Sequence, residues 1–356
     1  MSNGVDVEIM RQIATGLFVP VVYQAFGENG TAALREVLAF LPRHYERASP
    51  ELVTGTLLVV RSLTPDAVVG VISGDSRTEA RIERLPREVE SVTVVELLDT
   101  GAFRVWENAT VDLDAATNVA VVYRFTPGRE DFVVRGTSHA VLNPAPEHLS
   151  IFARPTFTSL ADALEDYRRN LIRTSTCYIF REAWEDQNCR LFFNAGPEWR
   201  MRRSLQQFLQ ARLRDVDVLA EQIVDESHPV DVKVTWNFTR SEALIEVKWL
   251  GKSRSNGKIV AYWEARALQG AAQLADYLDK YHTSNPTVDA RGYLVVIDAR
   301  RYGVADDATS VSKTKGMHYV DAEIKFDPKY HEIRNEFTEP IRMFAEPICD
   351  PEETAA

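Results

Sequence analysis

Three side chains at a fixed spacing have the makings of phosphate hydrolysis. The run Pro229-Val230-Asp231-Val232-Lys233 is followed, fifteen residues after Asp231, by Glu246-Val247-Lys248 inside an apolar stretch, residues 243–249. Side chains of a strand alternate faces, so Glu246 and Lys248 share one face while Ile245, Val247 and Trp249 share the other. Opposite charges on one face of an otherwise apolar strand are costly unless they pair or hold a metal ion. A hairpin joining the two runs brings Asp231 within reach of both. Carboxylate oxygens suit Mg²⁺, the ion polarises a phosphate and acidifies a water, and an ammonium orients that water.

The elements that must position this set follow from periodicity. Gly196-Pro197-Glu198 reads as a helix start, with proline tolerated in the first turn and glutamate at the positive end of the dipole. Met201, Leu205, Phe208, Leu209 and Leu213 make one stripe to about residue 214. Strands are expected over 230–236 and 243–250, joined by a polar turn at 237–240. A helix over 261–281, a strand over 293–298, a mobile loop over 304–316, a last strand over 318–326 and a short C-terminal helix complete the order. This predicts a mixed α/β sheet flanked by helices.

Upstream, apolar steps of three and four predict helices over 7–26 and 32–44. Strand-like runs follow at 54–62, 67–72, 91–98, 103–112, 119–125 and 132–143, with turn residues between them. The N-terminal region thus reads as a strand-rich α+β domain. Residues 143–147, Asn-Pro-Ala-Pro-Glu, read as a linker, which divides the chain into domains 1–150 and 151–356. A helix near 160–173 opens the second.

Composition limits the alternatives. In 356 residues, 45% hydrophobic and 26% charged content excludes a wholly disordered, collagen-like or coiled-coil chain. No apolar run approaches the ~20 residues of a membrane span. The opening residues have neither a basic leader nor an apolar core, so no secretory signal is expected. Cys177, Cys189 and Cys349 lack C-x-x-C spacing, which argues against a disulfide framework or zinc knuckle and fits a reducing cytoplasm. There is no Walker A, G-x-G-x-x-G or G-x-S-x-G sequence. His228 lacks a nucleophile beside it, and His139 and His148 read as surface or packing residues. The net charge of −11 disfavours a nucleic-acid partner only on average. Residues 196–258 hold eleven Lys/Arg against nine Asp/Glu, whereas residues 1–150 hold thirteen against twenty.

The Asp231…Glu246-Val247-Lys248 pattern resembles the PD-(D/E)xK phosphodiesterase superfamily, the restriction-endonuclease-like fold, over about residues 196–326. A valine separates Pro229 from Asp231, a common variation. The resemblance implies that Asp231 and Glu246 bind Mg²⁺ or Mn²⁺, that the Val247 carbonyl is a further metal ligand, and that Lys248 supports the attacking water. Glu198 matches a glutamate that many members place on the helix before the first core strand, and Gln273 a glutamine of exonuclease-like branches. A dipole partner and a surface glutamine are the ordinary alternatives for these two.

The implied function is a metal-dependent nuclease acting on DNA, with an RNase or a catalytically silent subunit as alternatives. Similar nuclease domains occur in bacterial defence effectors, so a restriction-like or antiviral role is expected. Lys252, Arg254 and Lys258, in a flexible basic loop over 251–258, and Arg202, beside Arg200 and Arg203, are expected to contact phosphate. Trp199, Trp236, Trp249 and Trp263 are expected in the core, not on a base-stacking platform. Lys233 and Glu242 are expected on exposed strand faces. The acidic N-terminal domain is assigned assembly, regulation or recognition, through a homo-oligomer or a partner protein.

Overall fold

Runs rich in Val, Leu and Thr build two separate sheets, each under its own core, in a computed structural model that describes residues 7–143, 149–153, 156–223, 229–237, 239, 241–286 and 288–350. The chain divides into the units Met1–Thr158 and Ser159–Ala356. The expected linker lies mostly outside the described residues, and so do His148 and His228. The division falls later than that linker. Ile151, Phe152 and Ala153 are buried in the first unit's core, which keeps them with the N-terminal fold.

In the first unit, α1 (Val7–Tyr45) is two helical segments joined at Gly27, whose φ of 64° breaks the helix where two helices were expected. Its Val22, Leu34, Val37, Leu41 and Tyr45 pack on the sheet. The strands are β1 (Thr56–Ser62), β2 (Ile72–Ser73), β3 (Ser76–Glu79), β4 (Val92–Leu97), β5 (Phe103–Trp106), β6 (Thr110–Val111), β7 (Ala120–Thr126), β8 (Arg129–Val134) and β9 (Thr137–Ala140). Seven of them make one sheet in the order β3-β5-β4-β1-β7-β8-β9, with β1 and β4 parallel.

Three sequence expectations change here. Residues 67–71 form turns, because Val68 and Ile72, four apart, both face the second core. The run over 132–143 folds back as a hairpin, since Arg135 (φ 46°) and Gly136 (φ 73°) both take the left-handed conformation that a tight turn requires. The run over 103–112 breaks after Trp106, with Asn108 at φ 55°. An unforeseen helix, α2 (Leu113–Val119), starts where the Asp112 side chain accepts from the Ala115 N–H at 3.0 Å.

The helix α3 (Phe157–Asp166) runs across the division, and the second unit continues with a π-helical turn, Tyr167–Ile172, then α4 (Tyr178–Arg181) and α5 (Glu198–Arg212). Its sheet runs β10 (Val216–Ile223), β11 (Pro229–Trp236), β12 (Ser241–Ser255), β14 (Asp289–Asp298) and β15 (Ile341–Phe344), with β13 (Lys258–Tyr262) paired to the far half of β12. β10, β11 and β12 are antiparallel, whereas β12, β14 and β15 are parallel. The helix α6 (Ala265–Ser284) lays Ala267, Ala271, Leu274 and Leu278 on Leu244, Leu294 and Val296. This is a mixed α/β unit with helices against its sheet. No helix among the described residues is long and apolar enough to cross a membrane.

The basic stretch at 251–258 is a β-hairpin and not a flexible loop. Asn256 (φ 49°) and Gly257 (φ 76°) make the turn, the Asn-Gly pairing that two-residue hairpins favour. That strand delays the start of α6 to Ala265. Residues 318–326 form no strand: Ile324 and Phe326 pack on the core, while β15 takes the place beside β14. Within 304–316 the structure has α7 (Lys313–Gly316) and a buried Val311 that anchors the segment. The short helix α8 (Tyr330–Ile333) follows. Lys233 and Glu242 are not on a solvent face. They pair at 2.8 Å, with Tyr281 bonded to both.

The first unit also holds a buried acid. Glu130 Oε1 accepts from Tyr123 at 2.6 Å and Ser150 at 2.7 Å, and the Tyr45 hydroxyl joins Tyr123 at 2.8 Å. Burial outweighs these hydrogen bonds and pushes the Glu130 carboxyl from 4.5 up to about 7. The folded chain therefore binds this proton more tightly than the unfolded chain, and stability falls as pH rises from 4.5 through about 7. Glu130→Gln, which cannot ionise, should match the parent below that window. Above it the variant should be more stable by up to roughly 3 kcal/mol, as read by denaturant unfolding at several pH values.

Candidate active site

The first helical residue of α5 is Glu198, after Gly196 turns the chain with φ 59°. Residues four apart on a helix share a face, so Glu198 and Arg202 point the same way. Arg202 Nη1 donates to Asp231 Oδ1 at 2.7 Å. Asp231 sits one residue beyond the Val232–Ile245 pair, where β11 stops pairing with β12. Its Oδ2 accepts the N–H of Val247 at 2.8 Å. One side chain thus takes over the ladder bond where β11 leaves β12.

On β12, Glu246 and Lys248 are 2% and 6% exposed. Lys248 Nζ donates to Glu246 Oε1, and Glu246 Oε2 is buried with no hydrogen-bond partner. Burial first, then the charge of Asp231 and more weakly that of Glu198, push the Glu246 carboxyl upward, while Lys248 pulls it back. Parallel pairing with Leu294 and Val296 of β14 fixes both positions along the sheet.

The helix α6 closes over this pair, and Gly270 makes the fit. A Cβ there would stand 2.7 Å from Lys248 Cγ and 2.9 Å from Leu294 Cδ1. Gln273 and Tyr277 lie three and seven residues further, on the same stripe of the helix. Gln273 Oε1 is buried without a hydrogen-bond partner. Burial, followed by the charges of Glu246 and Asp231, raises the Tyr277 hydroxyl to about 12. At the start of α6, Arg266 Nη2 donates to Glu198 Oε1 at 2.7 Å. Three acids, Glu198, Asp231 and Glu246, are each held by a cation, Arg266, Arg202 and Lys248. Arg266, Gly270 and Tyr277 had no sequence signal beyond helical spacing.

A divalent ion fits these residues on two grounds. Glu246 Oε2 is an orphaned buried carboxylate oxygen, and Asp231 and Glu246 repel each other across the strands. Among the described residues no group of three or more His, Cys, Asp or Glu side chains is arranged for a metal. The donors on offer would be the carboxylates of Asp231 and Glu246. Hard oxygens of this kind suit Mg²⁺ or Mn²⁺, which keep several waters.

The expected phosphate contacts are placed differently. Lys252 bonds Asp306 at 2.7 Å and the Val304 carbonyl at 3.1 Å. Arg254 bonds Glu185 at 2.7 Å and lies over the Phe192 ring. Arg202 holds Asp231. Lys258 lines a pocket of about 540 Å³ with Glu198, Trp249, Tyr262 and Arg266. Trp236 and Trp249 are buried, as expected for core aromatics, but Trp199 and Trp263 are 43% and 46% exposed. Compared with known protein families, curated proteins and solved structures, the chain matches none.

Gly270→Ala tests the closure of α6 over Lys248. Crowding Lys248 Cγ should destabilise the chain by about 1–3 kcal/mol. Denaturant unfolding gives that figure. Unchanged stability would mean that the helix does not press on the lysine.

Proposed function

We propose that the Ser159–Ala356 unit is a metal-dependent nuclease of restriction-endonuclease-like fold that hydrolyses phosphodiester bonds of DNA. The observation that carries this reading is the buried meeting of Asp231, Glu246 and Lys248, with Glu246 Oε2 lacking a hydrogen-bond partner. Asp231 and Glu246, with the Val247 carbonyl, would hold Mg²⁺ or Mn²⁺. Such an ion supplies Lewis-acid polarisation of the phosphate and a water of lowered pKa.

The chain's own groups do the rest. Lys248, pinned between β12 and α6, orients the attacking water and offsets charge that develops on the phosphate. Gln273, on the same helix stripe, offers a carbonyl oxygen to that water. Arg202, which bonds Asp231 in the structure, would be released for phosphate if that carboxylate held the ion. Its planar fork then suits two phosphate oxygens. Glu198, held by Arg266, positions the cation at the edge of the site. Lys258 is the basic hairpin residue that faces the pocket, while Lys252 and Arg254 chiefly tie the hairpin to its neighbours.

The N-terminal unit is assigned assembly or regulation in the same reading, through self-association or a partner protein, because its acidic balance repels phosphate. A nuclease so restrained suits a cytoplasmic defence role.

The test is incubation of the purified chain with plasmid DNA and with RNA, in Mg²⁺ and in EDTA. DNA cleavage should require Mg²⁺. Asp231→Asn and Glu246→Gln should each lower the rate roughly a thousandfold or more, the scale of losing several kcal/mol of transition-state stabilisation. Robust cutting in EDTA, or by either variant, sinks the assignment.

A further inference from the structure

Four aromatic rings run in contact across the surface beside the candidate site. Tyr302 stacks on His318 with centroids 4.4 Å apart and planes at 27°. His318 meets Tyr319 edge-on at 4.8 Å, and Tyr319 meets Trp263 at 6.3 Å. This is not a core cluster: Tyr302 is 55% and Trp263 46% exposed, and His318 is exposed as well. Single exposed apolar residues are ordinary, but a contiguous row of rings such as this marks a surface that can take a partner.

The row is held rigidly. Fully buried Asp298, at the end of β14, bonds Arg300 and Arg342. Arg300 lies over one face of the Tyr319 ring at 4.7 Å, and Arg342 donates to the Val320 carbonyl at 2.8 Å. Arg300 also holds Glu264, just after Trp263, at 3.1 Å. The row also points at the site. Trp263 immediately precedes α6, whose Arg266 holds Glu198, and the adjacent Tyr262 lines the pocket under the Arg266 guanidinium.

We propose that Trp263, Tyr319, His318 and Tyr302 form a stacking track for the bases of a single-stranded nucleic acid, leading into the Asp231–Glu246–Lys248 site. The inference rests on the nuclease reading and names its substrate form. Unpaired bases offer open faces that a duplex keeps stacked, and aromatic platforms of this kind bind them with little regard to sequence. Lys258, which lines the pocket at that end of the track, supplies a cation for the backbone where the strand would enter.

The test uses the full chain carrying Glu246→Gln, in EDTA, so that binding is read without cutting. Labelled oligothymidylate, the matching oligouridylate and a duplex of equal length are titrated by fluorescence anisotropy. Trp263→Ala and Tyr302→Ala should each weaken single-strand binding by about five- to hundredfold, the value of one base stacked on a ring. Trp263→Phe should restore most of the loss, and duplex binding should not change. A larger loss on one of the two sugars supports the track and names the strand it carries. Alanine variants that bind single strands as the parent does overturn the proposal, as does an equal loss on duplex. Mg²⁺-dependent cleavage by the unmodified chain with ring-independent binding removes the track and leaves the nuclease standing. Ring-dependent binding without any cleavage supports the track and removes the nuclease.

Discussion

A buried charge must be balanced where it sits, and the second unit is arranged around that constraint. Glu246 and Lys248 lie on the central strand of a parallel–antiparallel sheet, nearly sealed from water. Desolvating a carboxylate and an ammonium costs several kcal/mol for each, which a single ion pair rarely recovers in full. Arg202 from α5 and Arg266 from α6 extend the balance to Asp231 and Glu198. Gly270 lets α6 lie close enough to cover the lysine. Each helix is therefore placed by the charges it neutralises as well as by its apolar stripe. The arrangement leaves one carboxylate oxygen, on Glu246, without a hydrogen bond. Glu130 Oε2 in the first unit is buried without a partner too, so what sets the Glu246 oxygen apart is the company of Asp231 and Lys248.

The first unit shows the same rule with two outcomes on neighbouring residues. Glu130 and Asp131 stand on opposite faces of β8. Asp131 is also buried, but hydrogen bonds from Arg124, Ser138 and Arg129 outweigh that burial and hold its carboxyl below the usual range. Glu130 meets hydroxyls instead, so burial wins and its carboxyl rises. Whether a buried acid keeps its proton depends on the partner it faces, not on depth alone. Glu246 goes the way of Glu130 and further: burial and two acids work against one lysine, and its carboxyl is pushed up to about 8.

Much of the site could be read from the sequence because strand alternation is strict there. Asp231, Glu246 and Lys248 fall on faces set by a period of two, and the helices on either side carry clear apolar stripes. What escaped has definite causes. β10 was hidden because Asp217 and Glu221 alternate with Val216 and Val218, which looks like a polar connection. The Asn256-Gly257 turn was visible as a dipeptide, but the surrounding lysines and arginine drew the reading toward a loop. The Arg202–Asp231 and Arg266–Glu198 bonds span 29 and 68 positions. No local pattern reports them, since they depend on how helices pack on the sheet. The exposure of Trp263 escaped for the same reason: hydropathy speaks for the core, and only the packed fold shows which indole it leaves outside.

In the proposed nuclease, Asp231 and Glu246 together would hold a hard divalent ion. The most direct measurement is calorimetric titration of Mn²⁺ into the full chain and into Glu246→Gln, in two buffers of different ionisation enthalpy. The parent should bind Mn²⁺ saturably with release of a proton, because the raised Glu246 carboxyl must ionise to take the metal, and the variant should lose that binding. Equal Mn²⁺ affinity in the two proteins, with no buffer dependence in either, would contradict it.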